Sequence, residues 1–472
     1  MTNAPFSQTT PTTPPPAATG RARPTVRELP ADLLTPVAAF LRVRHRGPGF
    51  LLESVERGQQ VGRHSFMAAG CEPLELAAAS GFEPLRSALA RHGDADLDGL
   101  PPFCGGVMGC LSYDAASAFE PSVPLPPPRE GDDEALGRFL FAPVVVAFDH
   151  VRQTLQVVAQ PGYDRAADEL CADLLGPLPD GVEPAPALSG AGQSYPERTP
   201  DDYEAMVRAA QVHIERGDVF QMVPSQLIAR PTAASAFSLY RALRAVNPSP
   251  YMVFCDLGDR QIVSASPETH VSLSRAGVAT LKPIAGTRRR DADGAADDAL
   301  ARELEADEKE RAEHLMLVDL ARNDLGRVCE PGSVRVSKLL EVERYSHVMH
   351  LVSQVDGNLR TGEDALSLLQ ATFPAGTVSG APKVRAMQLI SEIEGTRRGV
   401  YAGALGYVGF DGALDTCIAL RTIVMRGGVA LLQAGAGIVA DSDPASEHGE
   451  CMNKLAALSA AIDLAETGRY GR

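Results

Sequence analysis

Residues 303–328, ELEADEKERAEHLMLVDLARNDLGRV, open on a dense set of carboxylates and turn abruptly into an apolar helical pattern. On a helix Glu310, Glu313 and His314 lie three and four residues apart and share one face. Two carboxylates on one face suit a hard divalent cation such as magnesium, which takes oxygen ligands and keeps several waters. The same pattern also describes a solvated acidic face laced with Arg302, Lys309 and Arg311. A second acidic pair far downstream favours the metal.

That pair lies in QAGAGIVADSDPASEHGECMNKLAAL (433–458). Asp443 reads as an N-cap and Pro444 as a first-turn residue, which places Glu447 and Glu450 one turn apart near a helix start. Acidic residues there also complement the helix dipole. The preceding Gly435, Ala436 and Gly437 offer backbone N–H groups with little steric cover, suited to a carboxylate or phosphate. An anion cradle followed at once by two carboxylates is hard to explain by stability alone.

PIAGT (283–287) and ATFPAGTVSGAPK (371–383) have a similar polar, small-residue character, which turn chemistry and capping alone would explain. Neither has Walker A spacing, and no G-x-G-x-x-G follows a strand with an acidic residue at the right distance, so nucleotide binding is poorly supported.

With 472 residues the chain is too long for one ordinary core. A net charge of −16 argues against nucleic acid or an anionic membrane surface as the main partner, so an anionic substrate must be met by local charges. Eight scattered cysteines without C-x-x-C or zinc spacing read as buried free thiols in a reducing compartment. No apolar run reaches the roughly 20 residues needed to span a bilayer. A cytoplasmic enzyme is expected.

Residues 1–26 read as a disordered Thr/Pro/Ala-rich tail, residues 27–175 as an N-terminal domain, residues 176–200 as a Pro/Gly-rich linker and residues 201–465 as a catalytic domain. Two short strands joined by a polar turn are expected between Phe50 and Phe66. FLFAPVVVAF (139–148) reads as one continuous apolar strand, with residues 154–158 as its hairpin partner. A helix around 163–175 closes the first half, and Thr199 caps another over 203–216. The class is α+β (mixed α/β), with large sheets under helical cover.

Beyond these local readings, the chain resembles the chorismate-utilising enzymes, and within them the anthranilate synthase component I family. The resemblance rests on GDVFQMVPSQ (217–226), SASPE (264–268), PIAGT (283–287), DEKERAEHLMLVDLARNDLGRV (307–328), VMHLVS (348–353), FPAGTVSGAPK (373–383), YAGALGY (401–407), ALRT (419–422), AGAGIVADSDP (434–444) and EHGECMNK (447–454). LLES (51–54), GGVMGCLSYD (105–114) and NPSPYM (247–252) extend it through the N-terminal half.

The resemblance implies large antiparallel sheets flanked by helices, with a regulatory N-terminal portion merged into a chorismate-binding portion. It implies a reaction of chorismate with ammonia through 2-amino-2-deoxyisochorismate to anthranilate and pyruvate, the first step of tryptophan biosynthesis. Glu313 and Glu450 match the Mg2+ ligands, supported by Glu310 and Glu447. Arg421, Tyr401 and the Gly435, Ala436 and Gly437 amides match the binding site of the enolpyruvyl carboxylate, and Gly286, Thr287 and Thr377 the lining of the ring. Lys454 completes the implied substrate contacts. Glu268 matches a general acid for the leaving hydroxyl, and His350 the histidine needed for pyruvate elimination. VMHLVS alone would make His350 a core residue.

Gln221 stands where the water-adding members carry a lysine base, which disfavours isochorismate synthesis. Ala285 stands where 4-amino-4-deoxychorismate synthases carry a nucleophilic lysine. Ser54, Pro250, Tyr251 and Met252 match a tryptophan feedback pocket, although GRHSFMAAG (62–70) and SPETHV (266–271) depart from the family's usual GRYSFIG and SPEMLV. A glutamine amidotransferase subunit is the implied ammonia source. The competing readings are a 4-amino-4-deoxychorismate synthase component I, an enzyme that stops at the amino intermediate, and a silent tryptophan-sensing homologue.

Overall fold

The structure, a computed structural model, describes residues 23–54, 62–93, 96–129, 135–179, 193–291, 293–344 and 348–468. Two large antiparallel sheets dominate it. One has eleven strands in the order Thr25–Pro30, Thr154–Ala159, Val144–Asp149, His64–Ala69, Gly49–Glu53, Tyr251–Asp256, Gln261–Ser266, Thr422–Arg426, Val429–Gly435, Ser225–Pro231 and Tyr195–Pro196. The other has ten strands. It runs from Ile284–Arg289 through Val348–Asn358, Val278–Leu281, Thr269–Leu273, Leu414–Ile418, Ala404–Gly409 and Gly106–Leu111 to Gly137–Ala142 and Glu72–Leu76, and Arg335–Arg344 also pairs with Val348–Asn358.

Strands from both halves of the chain enter both sheets. Met252 lies opposite Glu53 in one, and Ala404 opposite Leu111 in the other. Their inner faces meet through Phe50, Phe66, Val253 and Ile262 on one side and Met108, Leu140, Leu405 and Cys417 on the other. This is the layered burial that period-2 apolar alternation provides. The sheet class and helical cover match the sequence expectation. All eight cysteines are free, and seven are buried.

One expectation is corrected. Residues 139–148 form two strands, Gly137–Ala142 in the smaller sheet and Val144–Asp149 in the larger. Pro143 separates them; lacking an N–H, it cannot continue a ladder, and the chain changes sheet there. The expected hairpin partner, Thr154–Ala159, pairs with the second of these strands. Residues 1–22 of the expected tail, 55–61 of the expected turn and 180–192 of the expected linker lie outside the described residues.

Two helices begin at the caps expected for them, and a third has a cap that the sequence reading did not single out. Thr199 and Asp202 form a reciprocal capping box at Pro200–Glu215. Asp443 accepts from the Ser446 amide at 2.9 Å and opens the helix Pro444–Thr467. Asp307 accepts from the Lys309 and Glu310 amides at 3.0 and 3.1 Å and starts the acidic helix, Glu308–Gly326. That helix buries His314, Val318, Ala321 and Leu325, one stripe at helical spacing, and packs on Val348–Asn358 and Ile284–Arg289. Among the described residues no helix is long and apolar enough to cross a membrane.

Candidate active site

Two crossings between the sheets create the centre of the site. The chain leaves the larger sheet after Ser266 and joins the smaller at Thr269; it returns between Ile418 and Thr422. The crossings are laced together. Ile418 N donates to the Glu268 carbonyl at 3.0 Å, Ala265 N to the Arg421 carbonyl at 3.1 Å, and Ser266 Oγ to the Ile418 carbonyl at 2.6 Å. Arg421 adopts φ = +45°, a left-handed conformation that costs a non-glycine residue about 1 kcal/mol. The lacing holds Glu268 and Arg421 side by side.

Both side chains line a cavity of about 230 Å3, together with Thr377, Tyr401, Gly435, Gly437 and Lys454. Thr377 Oγ1 donates to Glu268 Oε1 at 2.9 Å. Burial pushes the Glu268 carboxyl up to about 7, while the Thr377 hydrogen bond and the Arg421 charge pull it down. Glu268 therefore sits poised between acid and base at neutral pH. The cavity is closed behind by tight backbone packing: a Cβ on Gly435 would lie 2.5 Å from the Pro224 carbonyl oxygen and 3.0 Å from the Tyr401 hydroxyl. Lys454 Nζ ties the C-terminal helix to this loop, donating to the Gly435 carbonyl at 3.0 Å and pairing with Glu450 at 2.7 Å.

The structure does not bring every expected residue to that cavity. Ala436 is fully buried and is not among the lining residues. Gln221 abuts Gly437, where a Cβ would meet its Nε2 at 2.5 Å. Gly286, Thr287 and His350 sit together on the neighbouring pair of strands, Ile284–Arg289 and Val348–Asn358. His350 Nδ1 lies 3.0 Å from both Thr287 Oγ1 and the Gly286 carbonyl. A carbonyl only accepts, so Nδ1 carries the proton and Nε2 is the ring's acceptor. Burial lowers the His350 pKa and the Arg421 charge lowers it further, so the ring is neutral at neutral pH.

Gly286 lies against the acidic helix, with Glu310 Oε2 3.1 Å from a built Cβ, and its φ of +67° favours glycine. His314, fully buried, bonds Ser353 Oγ at 2.6 Å and is structural.

The four carboxylates lie at the facing starts of two helices, bridged at the surface by Lys309 and Asp441 at 3.2 Å. Burial and the Glu310 charge raise Glu313; burial raises Glu447, with the Glu450 charge adding to it. Glu310 is paired with Arg288 at 3.2 Å, and Glu447 accepts from Ser442 Oγ at 2.7 Å. Among the described residues no three His, Cys, Asp or Glu side chains converge on one point. The donor set fits a hard cation held by a few carboxylate oxygens and completed by water or substrate, and does not fit a closed cage.

A second cavity, of about 400 Å3, lies on the other side of the 266–269 crossing. Ser54, Pro250, Tyr251 and Met252 all line it, with Glu53, Tyr407 and Asp415. Ser54 Oγ is buried and has no hydrogen-bond partner among the described residues, so it faces this space unsatisfied. The Tyr251 hydroxyl lies 2.9 Å from Thr269 Oγ1 and 3.0 Å from Asp415 Oδ1, and burial pushes the Asp415 carboxyl up to about 6.

The sequence reading missed the support behind Tyr401. The Arg398 guanidinium lies 4.5 Å from the Tyr113 ring centroid and 5.7 Å from that of Tyr401. It pairs with Glu394 at 2.6 Å, both groups almost fully buried. The only trace in the sequence is the spacing of four between Glu394 and Arg398, which a helix surface would share. Asp415 has no signal in the sequence either, since a single polar residue inside an apolar strand carries no spacing pattern.

The family model described as chorismate binding enzyme matches residues 50–460. Anthranilate synthase component 1 from Streptomyces coelicolor is 48% identical over 470 residues, covering 94% of this chain and 89% of that protein. The Thermus thermophilus protein of the same name is 46% identical, covering 95% and 99%. The solved structure of anthranilate synthase component I from Streptococcus pneumoniae superposes with a TM-score of 0.76 at 34% identity, covering 91% of this chain and 99% of that one. The menaquinone-specific isochorismate synthase of Escherichia coli shares the fold, with a TM-score of 0.72 at 22% identity. The chain belongs to the chorismate-binding enzymes. Within that family, the two relatives that are 48% and 46% identical to it over 94% and 95% of its length are each an anthranilate synthase component 1.

Proposed function

We propose that the chain is the chorismate-converting subunit of an anthranilate synthase, a lyase that turns chorismate and ammonia into anthranilate and pyruvate. The observation that carries this reading is the pairing of a protonatable Glu268 with Arg421 in one small cavity. Arg421 presents a planar fork to the enolpyruvyl carboxylate, with Tyr401 and the Gly435 and Gly437 backbone beside it. Ammonia adds at C2 as the 4-hydroxyl departs, and Glu268 supplies the proton that makes the leaving group water. His350, neutral with Nε2 as acceptor, then takes the C2 proton while the enolpyruvyl group leaves and is protonated to pyruvate. Ala285 and Gln221 support this branch, since neither can serve as the amine nucleophile or water-activating base of the sister reactions.

Glu313 and Glu450, with Glu310 and Glu447 in support, would hold a magnesium ion, which would supply charge neutralisation for the ring carboxylate and a Lewis acid. Glu450→Gln is expected to abolish magnesium-dependent turnover and to weaken magnesium binding in calorimetry; unchanged turnover and binding would show the metal assignment to be wrong. Thr377→Val removes a bond that favours the ionised Glu268. The alkaline limb of the kcat/KM profile should therefore move upward by up to about one pH unit.

L-Tryptophan occupies the larger cavity as a feedback inhibitor, its indole against Tyr251 and Met252 and a polar group on Ser54. A glutamine amidotransferase subunit supplies ammonia, in the cytoplasm, where eight free thiols stay reduced. The deciding test is product identification with chorismate, magnesium and ammonium. Fluorescent anthranilate supports the reading; an accumulating amino-substituted intermediate, or 4-amino-4-deoxychorismate, sinks it.

A further inference from the structure

The two cavities are separated by a wall one residue thick. Pro267 lines both; Glu268 faces the catalytic cavity and Thr269 the larger one. Glu268 lies in the bend of the crossing and Thr269 opens the strand that follows it, so the two are covalent neighbours and a displacement of Thr269 carries Glu268 with it. On the far side Thr269 Oγ1 is 2.9 Å from the Tyr251 hydroxyl, which also reaches Asp415 Oδ1 at 3.0 Å. The tyrosine has one proton to give. With the Asp415 carboxylate as acceptor, Thr269 donates to the tyrosine oxygen, and the three groups form a directed chain. On the catalytic side Glu268 is held by Thr377 Oγ1 through its carboxyl and by the Ile418 amide through its carbonyl.

We infer that Thr269 is a positioning residue that relays occupancy of the larger cavity to Glu268. A ligand packed on Tyr251 that brings an ammonium group to Asp415 competes for the acceptor of the tyrosine proton and shifts the ring. The Thr269 hydroxyl follows the tyrosine oxygen, and Glu268, its neighbour in the chain, moves with the crossing. A methionine at this position, as in SPEMLV, cannot make the bond, so the relay belongs to the SPETHV version of the segment. The inference rests on the feedback reading above.

The chain contains no tryptophan, so bound L-tryptophan can be followed by its own fluorescence, separately from inhibition of anthranilate formation with ammonium as nitrogen source. In the unaltered protein the midpoints for binding and inhibition should coincide. Thr269→Val should bind tryptophan within about twofold of the unaltered protein while its inhibition midpoint rises about tenfold, within the usual range of coupling between sites. Thr269→Ser should restore the coincidence, because it restores the hydroxyl.

Inhibition of Thr269→Val at unchanged concentrations would overturn the relay and leave the feedback reading standing. Loss of tryptophan binding in that variant would overturn it too, by making Thr269 part of the ligand site. Failure of the unaltered protein to bind tryptophan would overturn the feedback reading and the relay together. Should Thr269→Val lack basal turnover, Thr269→Met provides the same comparison.

Discussion

Glu268→Gln is expected to lower kcat for anthranilate formation by about 10^3-fold with little change in KM. Glutamine matches the shape and still accepts from Thr377 Oγ1, but its amide cannot deliver a proton to the departing hydroxyl. In the proposed role the unaltered enzyme requires the protonated carboxyl, whose pKa burial raises to about 7. Its activity should therefore be flat below that pH and fall about tenfold per unit above it; the variant should lose that limb.

The same substitution should stabilise the fold. An unfolded glutamate ionises near 4.5, whereas the native one resists ionisation until about 7. Stability contributed by this group is thus fully present below the unfolded value and is lost as pH rises towards the native one. Glutamine removes that loss, by about 3 kcal/mol above pH 7. Urea unfolding at pH 5 and pH 8 measures it: the variant should gain at the higher pH and little at the lower. Retained turnover, or no pH-dependent gain, would remove Glu268 from the role of acid.

Glu394→Ala should be the most destabilising of the changes considered, by about 3–5 kcal/mol. Glu394 Oε1 accepts from the Ser225 amide at 2.8 Å and the Ser225 hydroxyl at 2.9 Å, and the carboxylate pairs with Arg398. Arg398 in turn donates to the Val378 carbonyl at 2.9 Å, next to Thr377 in the chain, and its amide reaches Asp114 at 3.1 Å. Removing the carboxylate leaves a guanidinium buried without its counter-charge and two unsatisfied donors on Ser225. Because Arg398 also backs Tyr401, residual activity should show a raised KM for chorismate before global unfolding begins. A denaturation midpoint within error of the unaltered protein would show that water or Asp114 takes over the role.

Much of the site was legible because helix caps are local. Asp443 and Thr199 each announce a helix start by residue type and spacing, and the first of these places Glu447 and Glu450 one turn apart near a helix start. The family motifs then supplied Glu268 and Arg421, which no spacing would have joined, since each sits in a short crossing between strands. The Pro143 crossing was misread because apolar residues continue on both sides of it, and periodicity does not report a change of sheet. The Glu394–Arg398 pair stayed hidden for a related reason: four-residue spacing of opposite charges usually marks a solvated helix face, and only tertiary packing turns it inward.

The interleaving of early and late strands has a consequence for how the protein is made. Leu111 waits for Ala404 and Glu53 for Met252, so neither sheet can close until most of the chain has left the ribosome. Such distant pairings make folding slow, and they leave unpaired strand edges open to other chains in the meantime. The N-terminal half is therefore a poor candidate for a free-standing unit: expressed alone it would keep Gly106–Leu111 paired with Gly137–Ala142 on one edge and leave its other edge without Ala404–Gly409. The residues that line the two cavities are inherited as one folding event.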